Sequence, residues 1–316
     1  MRDFKARKPE LSPAEAADLP DWLWVLLGET LPAERAALAR SWLAPAALDL
    51  RVNPLKTTRD AALAALAADG IHAAPTPYSP VGLRVAGKPV LQRHPLFTSG
   101  AIEIQDEGSQ LLCFLLAPKR SEMVVDFCAG AGGKTLLLGA LMRSLGRLYA
   151  FDISPRRLAN LTPRLARSGL SNVHPVRIAD ERDARIRRLA GKIDRVLVDA
   201  PCTGFGTLRR NPDLKWRQPQ TAVAELAAKQ ARLLAAAAPL VKPGGRLVYA
   251  TCSVLPAENE AVVAAFLAAH NEFALGDATA ELARAGIALD AGSMLRLYPH
   301  RHGCDGFFAA ILERAH

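Results

Sequence analysis

The sequence predicts an α/β protein, a doubly wound, Rossmann-like sheet preceded by a small α+β domain. Three observations carry that prediction. Short aliphatic runs alternate with helical stretches from Met123 to about Ala269, the spacing of parallel strands joined by crossover helices. One run, Met123-Val-Val-Asp126, leads into Phe-Cys-Ala-Gly-Ala-Gly-Gly-Lys-Thr135 and then a helical stretch. In such a turn, glycines let the backbone approach a ligand at a helix N-terminus. The runs also end in polar residues, among them Asp152, Asp199 and Cys252, where an open α/β sheet has its ligand crevice.

Composition narrows the class. The 316 residues, 50% hydrophobic and 22% charged, suffice for one large domain and a smaller one. No apolar run approaches the roughly 20 residues of a membrane span, and residues 1–10 are charged without a following apolar signal segment. A cytoplasmic location is expected. The five cysteines are widely spaced without a Cys-x-x-Cys pair, which suggests neither a disulfide framework nor a zinc site. The net charge of +9 is compatible with a polyanionic partner without requiring one.

In chain order, residues 1–20 read as a flexible lead-in that adds nothing to the core. Residues 21–100 are expected to form the small α+β domain. Trp22 to about Leu50 suggests two or three short helices punctuated by Pro32 and Pro45, with Trp22, Trp24 and Trp42 in the core. Thr58 caps a helix to about Ala68, closed by Gly70, and 81–90 and 96–97 read as short strands. Residues 101–316 are expected to form the large domain. A helix over 110–116 stops at Pro118, and the strand over 123–126 and a helix over 136–143 flank the glycine loop. Then come a strand over 147–151, a helix over 155–168, a strand over 173–178, a helix over 182–190 and the Asp199 strand. A helix over 222–238, a strand over 247–250 and a helix over 257–269 complete the alternation. Residues 294–298 and 306–312 read as an antiparallel pair at the sheet edge.

The glycine loop has two look-alikes. A Walker loop needs glycine six residues before its lysine, where Cys128 stands. A dinucleotide loop needs glycine where Thr135 stands. Asp152, 22 residues beyond Gly130, stands where an acidic residue meets a ribose hydroxyl pair; it is also a candidate cap for the helix from Pro155. In Asp199-Ala-Pro-Cys202, Pro201 stiffens the turn that aims Asp199 and Cys202. On that stretch alone, a turn cap and a small buried thiol compete evenly with a catalytic pair.

A glycine loop with an acidic ribose contact and neither complete look-alike motif fits an S-adenosylmethionine domain. With Asp199-Ala-Pro-Cys202 and Ala250-Thr-Cys-Ser253 at two strand ends, the sequence resembles the RNA cytosine carbon-5 methyltransferases of the bacterial Sun/Fmu or RsmB-like type, related to nucleolar NOP and NSUN proteins. The resemblance spans roughly 50–314 and includes Arg51-Val-Asn-Pro-Leu-Lys56, Ile104-Gln-Asp-Glu107, Arg209-Arg-Asn-Pro-Asp213 and Asp305-Gly-Phe-Phe308. It implies S-adenosylmethionine as cofactor, with Cys128, Ala129, Gly130, Ala131, Gly132, Gly133 and Lys134 at its methionine end. Asp152 is implied at the ribose, Asp180 near the adenine with Asp183 a neighbouring alternative, and Asp199 close to the transferring centre. It further implies Cys252 as nucleophile at cytosine carbon 6, Cys202 as the group assisting release, and Asp199 on the base edge. A free thiol has a pKa near ~8.5, so donors or positive charge such as Lys134 are expected beside it.

The implied substrate is RNA, small-subunit (16S) ribosomal RNA first and transfer RNA second; a non-catalytic assembly factor is the reading from another class. Arg209, Arg210, Lys215 and Arg217 are expected to hold phosphates, whereas Arg182, Arg185, Arg187 and Arg188 are expected to be a solvated helix face. Cys128 and Cys113 are expected to be structural. His300, His302 and Cys304 alternate without converging, so no metal is expected. A monomer is expected. Bacterial members of the family commonly carry an N-terminal NusB-like RNA-binding domain, and too few residues precede Leu50 to contain one, which implies a shorter subtype or a missing upstream part.

Overall fold

Local sequence explains why the chain breaks where it does. The computed structural model describes residues 11–316, and the first ten residues of the expected lead-in lie outside the described residues. Residues 11–20 are not the coreless lead-in expected. Ser12 and Glu15 form a reciprocal capping box on the helix Pro13–Ala16, which satisfies two otherwise orphaned donors. Ala14 and Leu19 are each 3% exposed. Leu19 is a single apolar residue in a polar stretch, so no periodicity advertised it. It packs with Leu23, Leu27, Leu38 and Trp42 of the helices Asp21–Thr30 and Arg35–Leu43. Trp22 and Trp24 pack at the edge of the same cluster, which also contains Phe205, Leu208, Val254 and Leu255. The N-terminal helices therefore rest on the loops that carry Cys202 and Cys252.

A small antiparallel sheet follows, made of β1 (Leu48–Val52), β2 (Ala73–Pro75), β3 (Gly82–Val85) and β4 (Ile102–Ile104), in the order β2-β3-β1-β4. Leu48 to Leu50 thus extend rather than ending a helix, because Pro45 has already stopped one. The helix Arg59–Ala68 covers this sheet, with Thr58 as its cap. Leu96 and Phe97, expected as a strand, lie in the short helix Pro95–Thr98: Pro95 at the first turn presets helical φ and His94 accepts from the Leu96 amide. β4 pairs with β1 and carries the small sheet past residue 100, where the sequence suggested the large domain begins.

The large sheet comprises β5 (Met123–Asp126), β6 (Arg147–Asp152), β7 (Val173–Arg177), β8 (Ile193–Asp199), β9 (Val241–Thr251), β10 (Phe273–Leu275), β11 (Met294–Leu297) and β12 (Phe307–Arg314). Its order is β10-β12-β9-β8-β5-β6-β7, with β11 paired to β12. Strands β5 to β9 are parallel, and β10, β11 and β12 pair antiparallel. The helices Glu107–Leu116, Gly133–Leu141 and Pro155–Ser168 bury one face; Thr221–Ala237 and Glu260–Ala269 bury the other. β9 starts six residues earlier than its aliphatic run, the extra length passing through an irregularity opposite Ile193 and Arg195. The helix expected over 182–190 shortens to Ala184–Arg187. Strand order reverses between β5 and β8, which opens a crevice at their carboxyl ends. Among the described residues, no helix is long and apolar enough to cross a membrane.

The small sheet docks through charge. Arg51, 2% exposed, donates to Gln105 Oε1 at 2.7 Å and to the Gly133 carbonyl at 2.6 Å. Asn53 donates to the carbonyls of Gly100 and Ser168. Glu103 accepts from both Arg164 and Arg167 on the 155–168 helix. Glu103→Ala strands two half-buried guanidiniums and should destabilise the fold by about 2 kcal/mol in urea unfolding. A change within ~0.5 kcal/mol, typical of a surface substitution, would contradict a docking role.

Candidate active site

The glycine loop leaves β5 at Asp126, which is 1% exposed and accepts from Thr135 Oγ1 at 2.7 Å. Gly130 and Gly132 take φ of +58° and +81°. A Cβ on Gly132 would stand 2.1 Å from Leu161 Cδ1, whereas one on Gly130 would meet nothing within 4 Å. Gly132 is thus needed for packing and Gly130 leaves an open cradle. Three long-range bonds hold the loop: Asp152 accepts from the Gly130 amide at 2.9 Å, Arg164 donates to the Ala131 carbonyl, and Arg51 to that of Gly133.

Beyond the strand ends lies a cavity of about 660 Å³, within the usual range for small-molecule sites. Cys128, Gly130, Asp152, Asp180, Asp199, Cys202 and Cys252 line it. Ala129, Ala131, Gly132, Gly133 and Lys134, also expected at the cofactor, lie outside this lining and shape or support the loop. Asp152 accepts from the Ser154 amide as well, and Ser154 caps the helix from Pro155, so capping by Asp152 is a reading the structure replaces. Asp180 faces the cavity, while Asp183 caps its own helix and pairs with Arg185. Ile153 and Ile178 are apolar walls that sequence reasoning missed; for Ile153, an apolar residue directly after Asp152 was the available signal.

β8 and β9 pair in parallel with Asp199 opposite Ala250. The loops beyond them bring the Cys202 and Cys252 sulfurs to 3.3 Å. The hydrogen bond to Cys252, burial and the Glu258 charge push the Cys202 thiol well above its usual range. Lys134 Nζ lies 2.6 Å from Asp199 Oδ2. Burial opposes the Lys134 charge, but the Asp199 carboxylate outweighs it and raises the ammonium pKa. Burial pushes the Cys128 thiol up and the Cys113 thiol up to about 12.

Two further residues hold the thiol loops, of which Glu258 had no sequence signal. A Cβ on Gly206 would stand 2.1 Å from the Gly306 carbonyl oxygen and 2.7 Å from that of Cys252. Its amide donates to the Cys252 carbonyl at 2.8 Å, so the loop after Cys202 is laced to Cys252 directly. Glu258 is fully buried and accepts hydrogen bonds from Thr203, Ser253 and Gln230.

Residues 113–313 match the family model described as 16S rRNA methyltransferase RsmB/F, and residues 19–91 match the ferredoxin-like domain of RsmF/B-like methyltransferases. The chain belongs to the RsmB/F methyltransferase family. It is similar to the Synechocystis protein named "Probable ribosomal RNA small subunit methyltransferase B", at 37% identity over 97% of this chain and 69% of that protein. Ribosomal RNA small subunit methyltransferase B of Sodalis glossinidius is 36% identical over 98% and 70% of the respective lengths. The crystal structure of a methyltransferase homologue from Pyrococcus horikoshii has a TM-score of 0.81 at 29% identity, covering 96% of this chain and 100% of that one.

As an RsmB/F member the protein is an RNA methyltransferase, and its cofactor is S-adenosylmethionine. The cavity fits that cofactor: Gly130 leaves backbone exposed, Asp152 lines it with a strand-end carboxylate, and Ile153 and Ile178 offer apolar walls. The expected phosphate cations fit less well. Arg209 pairs with Asp305 at 3.1 Å, its side chain 8% exposed, and Arg210 bridges Asp305 and Asp106. Lys215 is buried against Asp18. These charges pin the 203–213 loop and the helix after it, and Arg209 and Lys215 are turned away from solvent, whereas Arg210 remains exposed beside its carboxylates. Arg217 keeps a 70% exposed side chain beside Asp213, and Arg182, Arg185, Arg187 and Arg188 are exposed. His300 bonds Glu34 and His302 accepts from the Tyr298 amide.

Burial pushes the Asp126 carboxyl up to about 7 from an ordinary 3.8, and burial followed by the Asp305 charge raises Asp106 to about 6. Over that window the folded chain retains protons that the unfolded chain has released. The resulting stability is complete below pH 3.8 and is lost as pH rises through about 7. Asp126→Asn should flatten the slope of unfolding free energy between about pH 4 and about pH 7, leaving the Asp106 part. An unchanged slope in denaturant titrations across that range would contradict the assignment.

Proposed function

We propose that this protein methylates carbon 5 of a cytosine in small-subunit ribosomal RNA through a covalent bond between Cys252 and carbon 6 of the base. The observation that carries the reading is the pair of strand-end sulfurs 3.3 Å apart on the wall of the cofactor cavity, beside Asp199. The names of the relatives, ribosomal RNA small subunit methyltransferase B, support the substrate.

Carbon 5 of cytosine is a weak nucleophile. The Cys252 thiolate adds to carbon 6, which moves electron density onto carbon 5 and ring nitrogen 3. Asp199, held by Lys134, hydrogen-bonds the base edge and favours protonation of nitrogen 3. S-adenosylmethionine, when bound, would supply an electrophilic methyl group whose bond to sulfur breaks as carbon 5 bonds the methyl carbon, leaving a neutral thioether. Nitrogen 3 gives back the proton it took, the carbon-5 proton is lost to a base, its electron pair restores the ring double bond, and Cys252 leaves as thiolate. Cys202, in contact with Cys252, assists that release. The base must be unstacked to enter, which costs a few kcal/mol and is cheapest in a loop or single strand. On this reading the protein works in the cytoplasm, where ribosomal subunits are built.

The direct test is methyl transfer from labelled S-adenosylmethionine to unmodified small-subunit ribosomal RNA, followed by digestion to nucleosides. Wild type should yield 5-methylcytidine and Cys252→Ala none, whereas Cys202→Ala should accumulate protein bound to RNA. Another methylated nucleoside, or product that survives Cys252→Ala, would sink the reading. RNA affinity should fall with salt at a slope near ~0.7 per neutralised phosphate; a flat salt response would exclude a phosphate-borne interface.

A further inference from the structure

Glu258 ends the short turn Pro256–Glu258 after the Cys252 loop and is fully buried. Its Oε1 accepts from the Thr203 amide at 2.8 Å and from Gln230 Nε2 at 3.0 Å. Its Oε2 accepts from Thr203 Oγ1 and Ser253 Oγ, each at 2.5 Å. Among the described residues it has no lysine, arginine or histidine partner within ion-pair distance. Four donors converge on one carboxylate, which matches the acceptor-only chemistry of its ionised form. Thr203 directly follows Cys202, and Ser253 directly follows Cys252. Gln230 adds a third arm, since its Nε2 also donates to the Pro201 carbonyl at 3.0 Å. The turn is itself held, with Tyr249 Oη donating to the Glu258 carbonyl at 2.5 Å and Asn259 Nδ2 to that of Ser253 at 3.0 Å.

We propose that Glu258 is a positioning residue that clamps the two cysteine loops together and so sets the sulfur separation on which the two-thiol reaction depends. The clamp rests on the reading of Cys202 and Cys252 as partners in one reaction. Its geometry acts on both thiols through the residues beside them and touches neither the glycine loop nor Asp152. A buried carboxylate with all its donors satisfied is stiff, because releasing any donor leaves a polar group unpaired. After the hydrogen bond to Cys252 and burial, the Glu258 charge adds to the upward push on the Cys202 thiol.

The sulfur separation can be read without RNA or cofactor. Full-length wild type, Glu258→Ala and Glu258→Gln are treated with a thiol-specific diazene, which takes up two electrons and two protons as two thiols join in a disulfide. The Cys202–Cys252 crosslink is followed by peptide mass spectrometry. Wild type should crosslink readily, and Glu258→Ala should do so at least ~10-fold more slowly, since a misplacement of about 1 Å can cost up to ~100-fold in a proximity-dependent reaction. Glu258→Gln keeps the shape and should recover most of the rate. In methyl transfer, Glu258→Ala should lower kcat with KM for S-adenosylmethionine unchanged. Ser253→Ala and Thr203→Val, each removing one arm, should also slow the crosslink and serve if Glu258→Ala does not fold. Wild-type crosslinking rates in these variants would overturn the clamp. Slow crosslinking in the variants, with no 5-methylcytidine from wild type, would leave the clamp and remove the reaction assigned above. Wild-type crosslinking in the variants alongside 5-methylcytidine from wild type would do the reverse.

Discussion

Parallel hydrogen bonding between β8 and β9, in the register that sets Asp199 opposite Ala250, is the constraint on which the rest of the site depends. Cys202 and Cys252 lie fifty residues apart in the chain, and no local sequence preference could bring them together. The register does so by ending two neighbouring strands at the same height, three residues before one thiol and two before the other. A slip of one residue would turn every side chain of one strand to the opposite face. The aliphatic runs of both strands, buried between helices on both faces, oppose such a slip. The topological switch beside them puts the glycine loop of β5 next to β8, so that loop and the thiols line one crevice.

The N-terminal part of the chain supports this crevice from two directions. The first helices cover the loops beyond Cys202 and Cys252 with an apolar cluster. The small sheet reaches the glycine loop through Arg51 and the 155–168 helix through Asn53 and Glu103. Arg51 is fully buried, and desolvation lowers its pKa to about 10. A guanidinium carried so far from water is costly unless its hydrogen bonds are made; Nη1 of Arg51 donates to both Gln105 and Gly133, while its Nε has no partner. The small domain is thereby tied to the glycine loop by specific polar contacts as well as by packing.

Much of the fold was legible because its signals are local. The parallel strands are short aliphatic runs flanked by glycine, proline or aspartate, and the helix over 155–168 begins with Ser154-Pro155 and ends at Gly169. The nucleotide-type turn and the strand-end residues Asp152, Asp199, Cys202 and Cys252 belong to the same local patterns. β2, β4 and β10 were not legible, since three residues are too few to establish a period of two. Leu96 and Phe97 were misread because two apolar residues carry no period at all. Side-chain partnerships across the chain escaped the sequence for another reason. Arg210 and Asp106 are 104 residues apart, and Lys215 and Asp18 are 197 apart, so the carboxylates that pair with this basic run could not be read from its neighbourhood in the sequence. Glu258 was invisible for the same reason, as its partners come from three separate segments.

The two-thiol site is tested most directly by trapping its covalent state. Small-subunit ribosomal RNA transcribed with 5-fluorocytidine offers a base whose carbon 5 carries fluorine in place of the proton lost at the last step, so the ring double bond cannot be restored and the protein stays attached. Incubation with S-adenosylmethionine, followed by proteolysis and mass spectrometry of the nucleotide-bearing peptide, identifies the attacking sulfur. The account predicts a methylated 5-fluorocytidine adduct on Cys252. An adduct on Cys202, or none from a protein that binds both RNA and cofactor, would contradict it.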